Sequence, residues 1–333
     1  MTRRETAPRS APKTEGRALW FEEAGRCTLR REPLPPGCEG EVLVRTLFSG
    51  ISRGTESLVF GGRVPESEYE RMRAPHQSGQ FPFPVKYGYA AVGMVEEGPQ
   101  HLAGRAVFCL YPHQDRFRVP ACAVHPLPDA LPPHRAVLAA NMETALNITW
   151  DAGIQPGDRV AVFGAGVVGL LVAYLASRVI GTEVVISDIE PERADTAQAL
   201  GLRFTSPKAV PDECDVLINA SASCEALATA LDRAGFEARV VEASWYGERF
   251  AEIPLGGAFH AKRLSIVSSQ VAALPPGRRA RWDPHRRMAK ALGLLADERL
   301  DRLISGETPF ETITADYADI IGSGTTLCHR IRY

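Results

Sequence analysis

The segment Val160–Gly169, VAVFGAGVVG, constrains this chain more than any other ten residues. Arg159–Phe163 (RVAVF) reads as a buried strand and Val167–Val179 as an apolar helix, with Gly164, Gly166 and Gly169 spaced GxGxxG between them. The first glycine permits a tight turn, the second lets a pyrophosphate approach the backbone, and the third lets helix and strand pack closely. The helix start, at Val167 and Val168, offers unpaired N–H donors to phosphate. Strands at 183–187, 215–219, 239–243 and 264–271 then alternate with helices at 191–200 and 225–234. That alternation predicts a parallel sheet covered on both faces. The second strand ends in ISD, which puts Asp188 19 residues past Gly169, where a carboxylate can accept both ribose hydroxyls of an adenosine. A carboxylate repels a 2′-phosphate, so NAD(H) is expected in preference to NADP(H). Arg193 leaves NADP(H) open, since it could turn toward a phosphate or line the ribose.

The remaining composition is that of an ordinary globular chain. Its 333 residues suggest two domains. The net charge of −2 supplies no bulk field for nucleic acid or an anionic membrane, and no apolar run is long enough to span a bilayer. Residues 1–16 are polar with no apolar stretch, so they are expected to be a disordered tail and not a secretory signal, and the protein is expected to be cytoplasmic. Seven scattered cysteines, none in a CxxC pair, argue against a disulfide framework or a cysteine-clustered zinc. From Arg17 to Pro128 short β-like runs (17–21, 41–48, 88–96, 105–110) are separated by loops, the longest at 61–80. A helix is expected over 133–151, another over 286–296, and a β-like ending over 325–333.

The glycine-rich half behind a β-rich half, with the segments EVLVRTLFSGIS, PFPVKYGYAAVGMVEEG and ETALN, resembles the medium-chain dehydrogenase/reductase superfamily from about Gly16 to Tyr333. The resemblance implies an α/β fold. A GroES-like β-rich catalytic domain (17–143 and 285–333) would be joined to a Rossmann doubly wound parallel-sheet domain (144–284), with the active-site cleft between them. GISRGTE, followed by Gly62-Arg63-Val64-Pro65, looks like the bacteriochlorophyllide hydroxyethyl dehydrogenase group, which oxidises a secondary alcohol to a ketone with NAD. The tetrapyrrole substrate of that group is not implied. Where zinc alcohol dehydrogenases of the superfamily carry their three ligands, this chain has Ser52, Tyr89 and, by alignment, Ala140; the structural-zinc lobe retains only Cys109 and Cys122. No catalytic and no structural zinc is therefore expected.

Hydrogen-bond donors or an acid/base must then steady the reacting oxygen. Tyr89 is the first candidate, as a phenolic donor or proton shuttle, against the alternative of a half-buried strand tyrosine. Lys86, nearby in sequence, points to the opposite face of an extended strand. Ser52, Thr55 and Glu56 form the next group, Glu56 being a useful base only if desolvated and otherwise a structurally paired residue. His113, in YPHQDRF, could border the substrate pocket. The resemblance places Arg53 on the pyrophosphate, Thr144 near the nicotinamide, and Asn219 and Ala220 beside the cofactor. His260, Lys262 and Arg263 form either a solvated edge or an anion-holding cluster. The expected function is zinc-independent, NAD(H)-dependent hydride transfer between a small-molecule secondary alcohol and its ketone. The alternatives are an enone or quinone-type double-bond reductase and a non-catalytic dinucleotide-binding protein. A homodimer is expected through the β-branched segment 263–271, with neither nucleic acid nor membrane as partner.

Overall fold

A computed structural model describes residues 14–333. In chain order the first part holds β1 (Glu15–Glu23), β2 (Arg26–Pro33), β3 (Glu41–Ser52), α1 (Arg53–Phe60), β4 (Ser78–Gly79), β5 (Val85–Lys86), β6 (Ala91–Glu97), β7 (Ala106–Cys109), β8 (Arg116–Pro120) and β9 (Val124–Pro126). After α2 (Ala139–Ala152) come β10 (Arg159–Phe163), α3 (Val167–Ala176), β11 (Glu183–Ser187), α4 (Arg193–Ala199), β12 (Arg203–Thr205), β13 (Cys214–Asn219), α5 (Cys224–Arg233), β14 (Ala234–Glu242) and β15 (Ser265–Ser268). The chain closes with α6 (Pro284–Leu294), β16 (Ile304–Pro309), α7 (Ile313–Gly322) and β17 (Cys328–Arg332).

The fold is α/β with two domains. Strands β10–β15 form a six-stranded parallel sheet in the order β12-β11-β10-β13-β14-β15. The order reverses between β10 and β13, and in open α/β sheets ligands bind beyond the carboxyl ends of the strands at such a point. The other strands make a four-stranded sheet, β2-β1-β5-β4, and a seven-stranded one in which β16 and β17, from the far end of the chain, join β3, β6, β7 and β9, with β8 pairing β3. The parallel sheet is thus an insertion within a unit built from both ends of the chain. α2 joins the two parts. Its Ala139, Met142, Ala145 and Ile148 belong to one core with Val92 and Phe108 on one side and Val160, Val162 and Ile218 on the other.

Several sequence expectations need adjustment. Residues 1–13 of the expected tail lie outside the described residues, whereas Glu15 and Gly16 already form the start of β1. The strand expected over 264–271 is only Ser265–Ser268, because its single neighbour, β14, ends at Glu242 opposite Ser268. Two helices were not foreseen: α1, directly after β3, and α7, in the stretch read as mixed short elements. Among the described residues no helix is long and apolar enough to cross a membrane.

Candidate active site

At the end of β10 the backbone turns sharply, and glycine is required. Gly164 has φ +101°, and a Cβ there would lie 2.9 Å from the Ala220 carbonyl after β13. A Cβ on Gly169 would fall 1.8 Å from the Gly164 oxygen, so α3 can sit against the bend only without one. Gly166 is the opposite case: nothing stands within 4 Å of its would-be Cβ, and it caps α3 without a side chain. That open space beside the first turn, at Val167 and Val168, suits a diphosphate accepting from N–H groups. Asp188, just past β11, accepts from Ala165 N at 2.5 Å and from Glu190 N at 3.0 Å, so its carboxylate is held against the bend.

Two arginines flank this edge. Arg193 is buried and gives its guanidinium to the carbonyls of Gly324, Thr325 and Thr326. Arg53 donates to Ser323 O at 3.1 Å and lies near enough for its charge, after burial, to lower the Arg193 pKa. The start of α1 therefore stands alongside the carboxyl end of the parallel sheet. Arg193 is committed to the 324–326 carbonyls and does not turn toward a phosphate. Asn219 is also committed: fully buried, its amide N donates to Glu242 at 2.7 Å, and its amide O accepts from Ser221 Oγ at 2.6 Å. Its side chain shapes the turn after β13 and has no free group for a cofactor; the Ala220 carbonyl lies against Gly164, and its N–H is taken by Phe163 O.

The second cluster is made of hydroxyls. Ser52 ends β3 and precedes α1; Tyr89 enters β6 from the other side. Tyr89 stands beside Ser52, Thr55 and Glu56, and burial, with Glu56 close by, pushes its pKa up to about 12. Asn141 Nδ2 donates to Ser52 Oγ at 3.3 Å from α2. The alignment put Ala140 at this place; one residue of helix rotation, about 100°, makes it Asn141. Thr144, one turn on, bonds back to Ala140 O at 3.0 Å. α2 also carries Glu143, Thr144 and Asn147, two of them buried, so nothing in its sequence singles out Asn141.

Glu56 and His113 do not border an open pocket. Both are fully buried and lie 3.0 Å apart, His113 Nε2 to Glu56 Oε2. Lys86 is drawn away from Tyr89, to Glu32 at 2.7 Å and Gln114 at 2.9 Å. Lys262 and Arg263 pair with Glu213 and Glu237 next to the start of β15, opposite the ligand edge, so the solvated-edge reading of that cluster holds. A cavity of about 340 Å³ lies between Leu110, His125, Glu143, His285 and Met288. Glu143 is two residues, some 200° of helix, from Asn141, so the cavity and the hydroxyl cluster lie on opposite faces of α2.

No protein-family model matches the chain. An uncharacterized zinc-type alcohol dehydrogenase-like protein of Haemophilus influenzae is 22% identical over 265 residues, 69% of this chain and 76% of that protein. Sorbitol dehydrogenase of Gallus gallus is 26% identical over 56% of this chain and 59% of its own length. Among solved structures, an Escherichia coli short chain alcohol dehydrogenase complexed with cofactor NADH superposes with a TM-score of 0.77 at 17% identity, covering 96% of this chain and 100% of the other. In fold and in these likenesses the chain is similar to alcohol and polyol dehydrogenases of the medium-chain dehydrogenase/reductase kind.

Proposed function

We propose that the protein is an NAD(H)-dependent oxidoreductase that interconverts a secondary alcohol and its ketone, with side chains in place of zinc at the reacting oxygen. The glycine bend fits a dinucleotide: Gly166 leaves room where a diphosphate would lie, Val167 and Val168 offer N–H groups, and Asp188 suits unphosphorylated ribose. Arg193, already occupied by three carbonyls, gives a 2′-phosphate no partner, which supports NAD(H) over NADP(H). When bound, the nicotinamide ring supplies or accepts the hydride.

The observation that carries the chemistry is the hydroxyl cluster. Asn141 donates to Ser52 Oγ, which leaves the Ser52 proton for another acceptor, and the Tyr89 phenol lies beside Ser52 and Thr55. The Tyr89 phenol stays protonated through the neutral range and can donate that proton to a substrate oxygen. Ser52, Tyr89 and Asn141 do not fit zinc, which takes thiolate, imidazole or carboxylate ligands. The exposed edge of β15 further supports a homodimer in which two such strands pair.

The test is NADH oxidation against a ketone panel and an enone panel after exhaustive chelation. Ketone turnover that survives chelation is expected. Turnover of alkenes alone would favour double-bond reduction, and activity restored only by zinc would overturn the metal-free reading.

A further inference from the structure

Glu143, Asn147 and Asp151 stand four residues apart, which sets them in one row along α2. Against that row lies Arg287 of α6, buried like Glu143 and Asn147. Each guanidinium nitrogen of Arg287 has an acceptor. Nε donates to Glu143 Oε1 at 3.0 Å, Nη1 to Asn147 Oδ1 at 2.6 Å, and Nη2 to the Val271 carbonyl at 2.6 Å. The row also takes the two residues before Val271. Ser269 Oγ donates to Asp151 Oδ2 at 2.6 Å, and Asn147 Nδ2 donates to Asp151 Oδ2 at 3.0 Å and to Gln270 O at 3.5 Å. Residues 269–271 are thus tied, one after another, to α2 and α6.

The place of these three residues gives the ties a use. β15 ends at Ser268; the Ser269 N–H still meets Glu242 O, at 3.0 Å, and beyond it the chain leaves the carboxyl edge of the parallel sheet. With the bend after β10 suited to the diphosphate and Asp188 after β11 to the adenosine, the nicotinamide half is left to the β13–β15 side of that edge. An edge strand has one neighbour, so the course of 269–271 is set by side chains from α2 and α6. We propose that Arg287 is a positioning residue for the cofactor: its planar fork spans from Glu143 and Asn147 to the Val271 carbonyl and holds residues 269–271 as a fixed wall on the nicotinamide side, in register with α2, whose other face carries Asn141. Arg287 itself touches neither cofactor nor substrate. The proposal rests on the dinucleotide reading above. Joining α6 to α2 does not call for an ion, since Met288, Ala291 and Leu292 already share an apolar core with Met142, Ala145 and Ile148. A buried arginine is costly to desolvate, and what it adds to that core is a fixed address for one carbonyl.

ADP-ribose, which has the adenosine and diphosphate but no nicotinamide, separates the two halves of the cofactor. Arg287→Lys keeps a cation beside Glu143 but replaces the fork with a single nitrogen. By calorimetry it is expected to bind ADP-ribose within about twofold of wild type and NADH about tenfold more weakly, and kcat at saturating NADH should fall about 30-fold. A residue that merely held the fold would change both affinities together or neither. Equal losses of ADP-ribose and NADH, or no loss of either in a folded variant, overturn the proposal. Should Arg287→Lys not fold, Glu143→Leu combined with Arg287→Met leaves no lone charge buried and is read in the same way. If the wild type binds ADP-ribose and NADH but reduces no ketone, the proposed reaction fails by itself, and the binding split still decides the role of Arg287. A wild type that binds neither ligand overturns the dinucleotide reading, and the role falls with it.

Discussion

The glycine bend after β10 and the hydroxyl cluster around Tyr89 present their ligand-facing groups by opposite means. At the bend the proposed binding groups belong to the backbone, within ten consecutive residues whose value lies in missing atoms: a Cβ on Gly164 or Gly169 would collide with main chain. In the cluster the backbone is only a carrier. The groups are side chains from β3, α1, the entry to β6 and α2, where Asn141 donates to Ser52 beside Tyr89. The first kind of site is damaged by adding atoms, the second by removing one.

Four experiments would break or sharpen that contrast. The largest effect is expected from Gly169→Ala, whose Cβ would stand 1.8 Å from the Gly164 oxygen. NADH affinity should fall at least ~100-fold, together with the thermal midpoint, because α3 cannot keep its seat. Normal NADH fluorescence titration of a folded Gly169→Ala protein would remove the backbone account. Next comes Tyr89→Phe, which deletes one proton and little else. A fall of ~100-fold in kcat is expected, as for loss of a single donor to a developing oxyanion, with NADH binding within about twofold of wild type. Parallel losses in both quantities would mean that the two sites are not separable.

Asp188→Ala should weaken NADH by about tenfold without weakening NADPH, and should leave kcat at saturating cofactor close to wild type. An unchanged NADH dissociation constant would show that the ribose contact lies elsewhere. The smallest effect concerns the seam where His125 of β9 meets His285 of α6, ring centroids 4.4 Å apart. Burial, with the neighbouring His285, pushes His125 down to about 4. The unfolded chain therefore takes up a proton below about pH 6.5 that the native protein refuses until about pH 4. Native stability should fall across that window as pH drops, by at most ~1.4 kcal/mol per pH unit from this group. Urea midpoints at pH 7 and pH 5 should show less acid sensitivity in His125→Gln than in wild type; equal sensitivity would clear His125 of the role.

The parallel half was legible because its signals are local. β10 and β11 occupy the spans expected, since each is a short β-branched run stopped by glycine or by turn residues. Helix α7 carried an equally local signal, with Ile313, Tyr317, Ile320 and Ile321 at helical spacing, and it was passed over. The other side chains could not be placed that way. Nothing near His113 in sequence announces that both its ring nitrogens are taken, by Ser49 on β3 and Glu56 on α1. Asn141 differs from the aligned Ala140 by one helical step, a rotation that only packing against Ser52 makes visible.

The amino-acid order alone therefore determined the strand–glycine–helix bend, the alternation that makes the sheet parallel, and the carboxylate that follows its second strand. These depend on backbone sterics and hydrophobic period, which act over a few residues. Tertiary structure alone decided which polar side chains remain available. Whether Glu56, His113, Arg193 and Asn219 face a ligand or one another depends on partners up to 261 residues away, as from Glu56 to Tyr317, and on the cost of leaving a buried polar group unpaired.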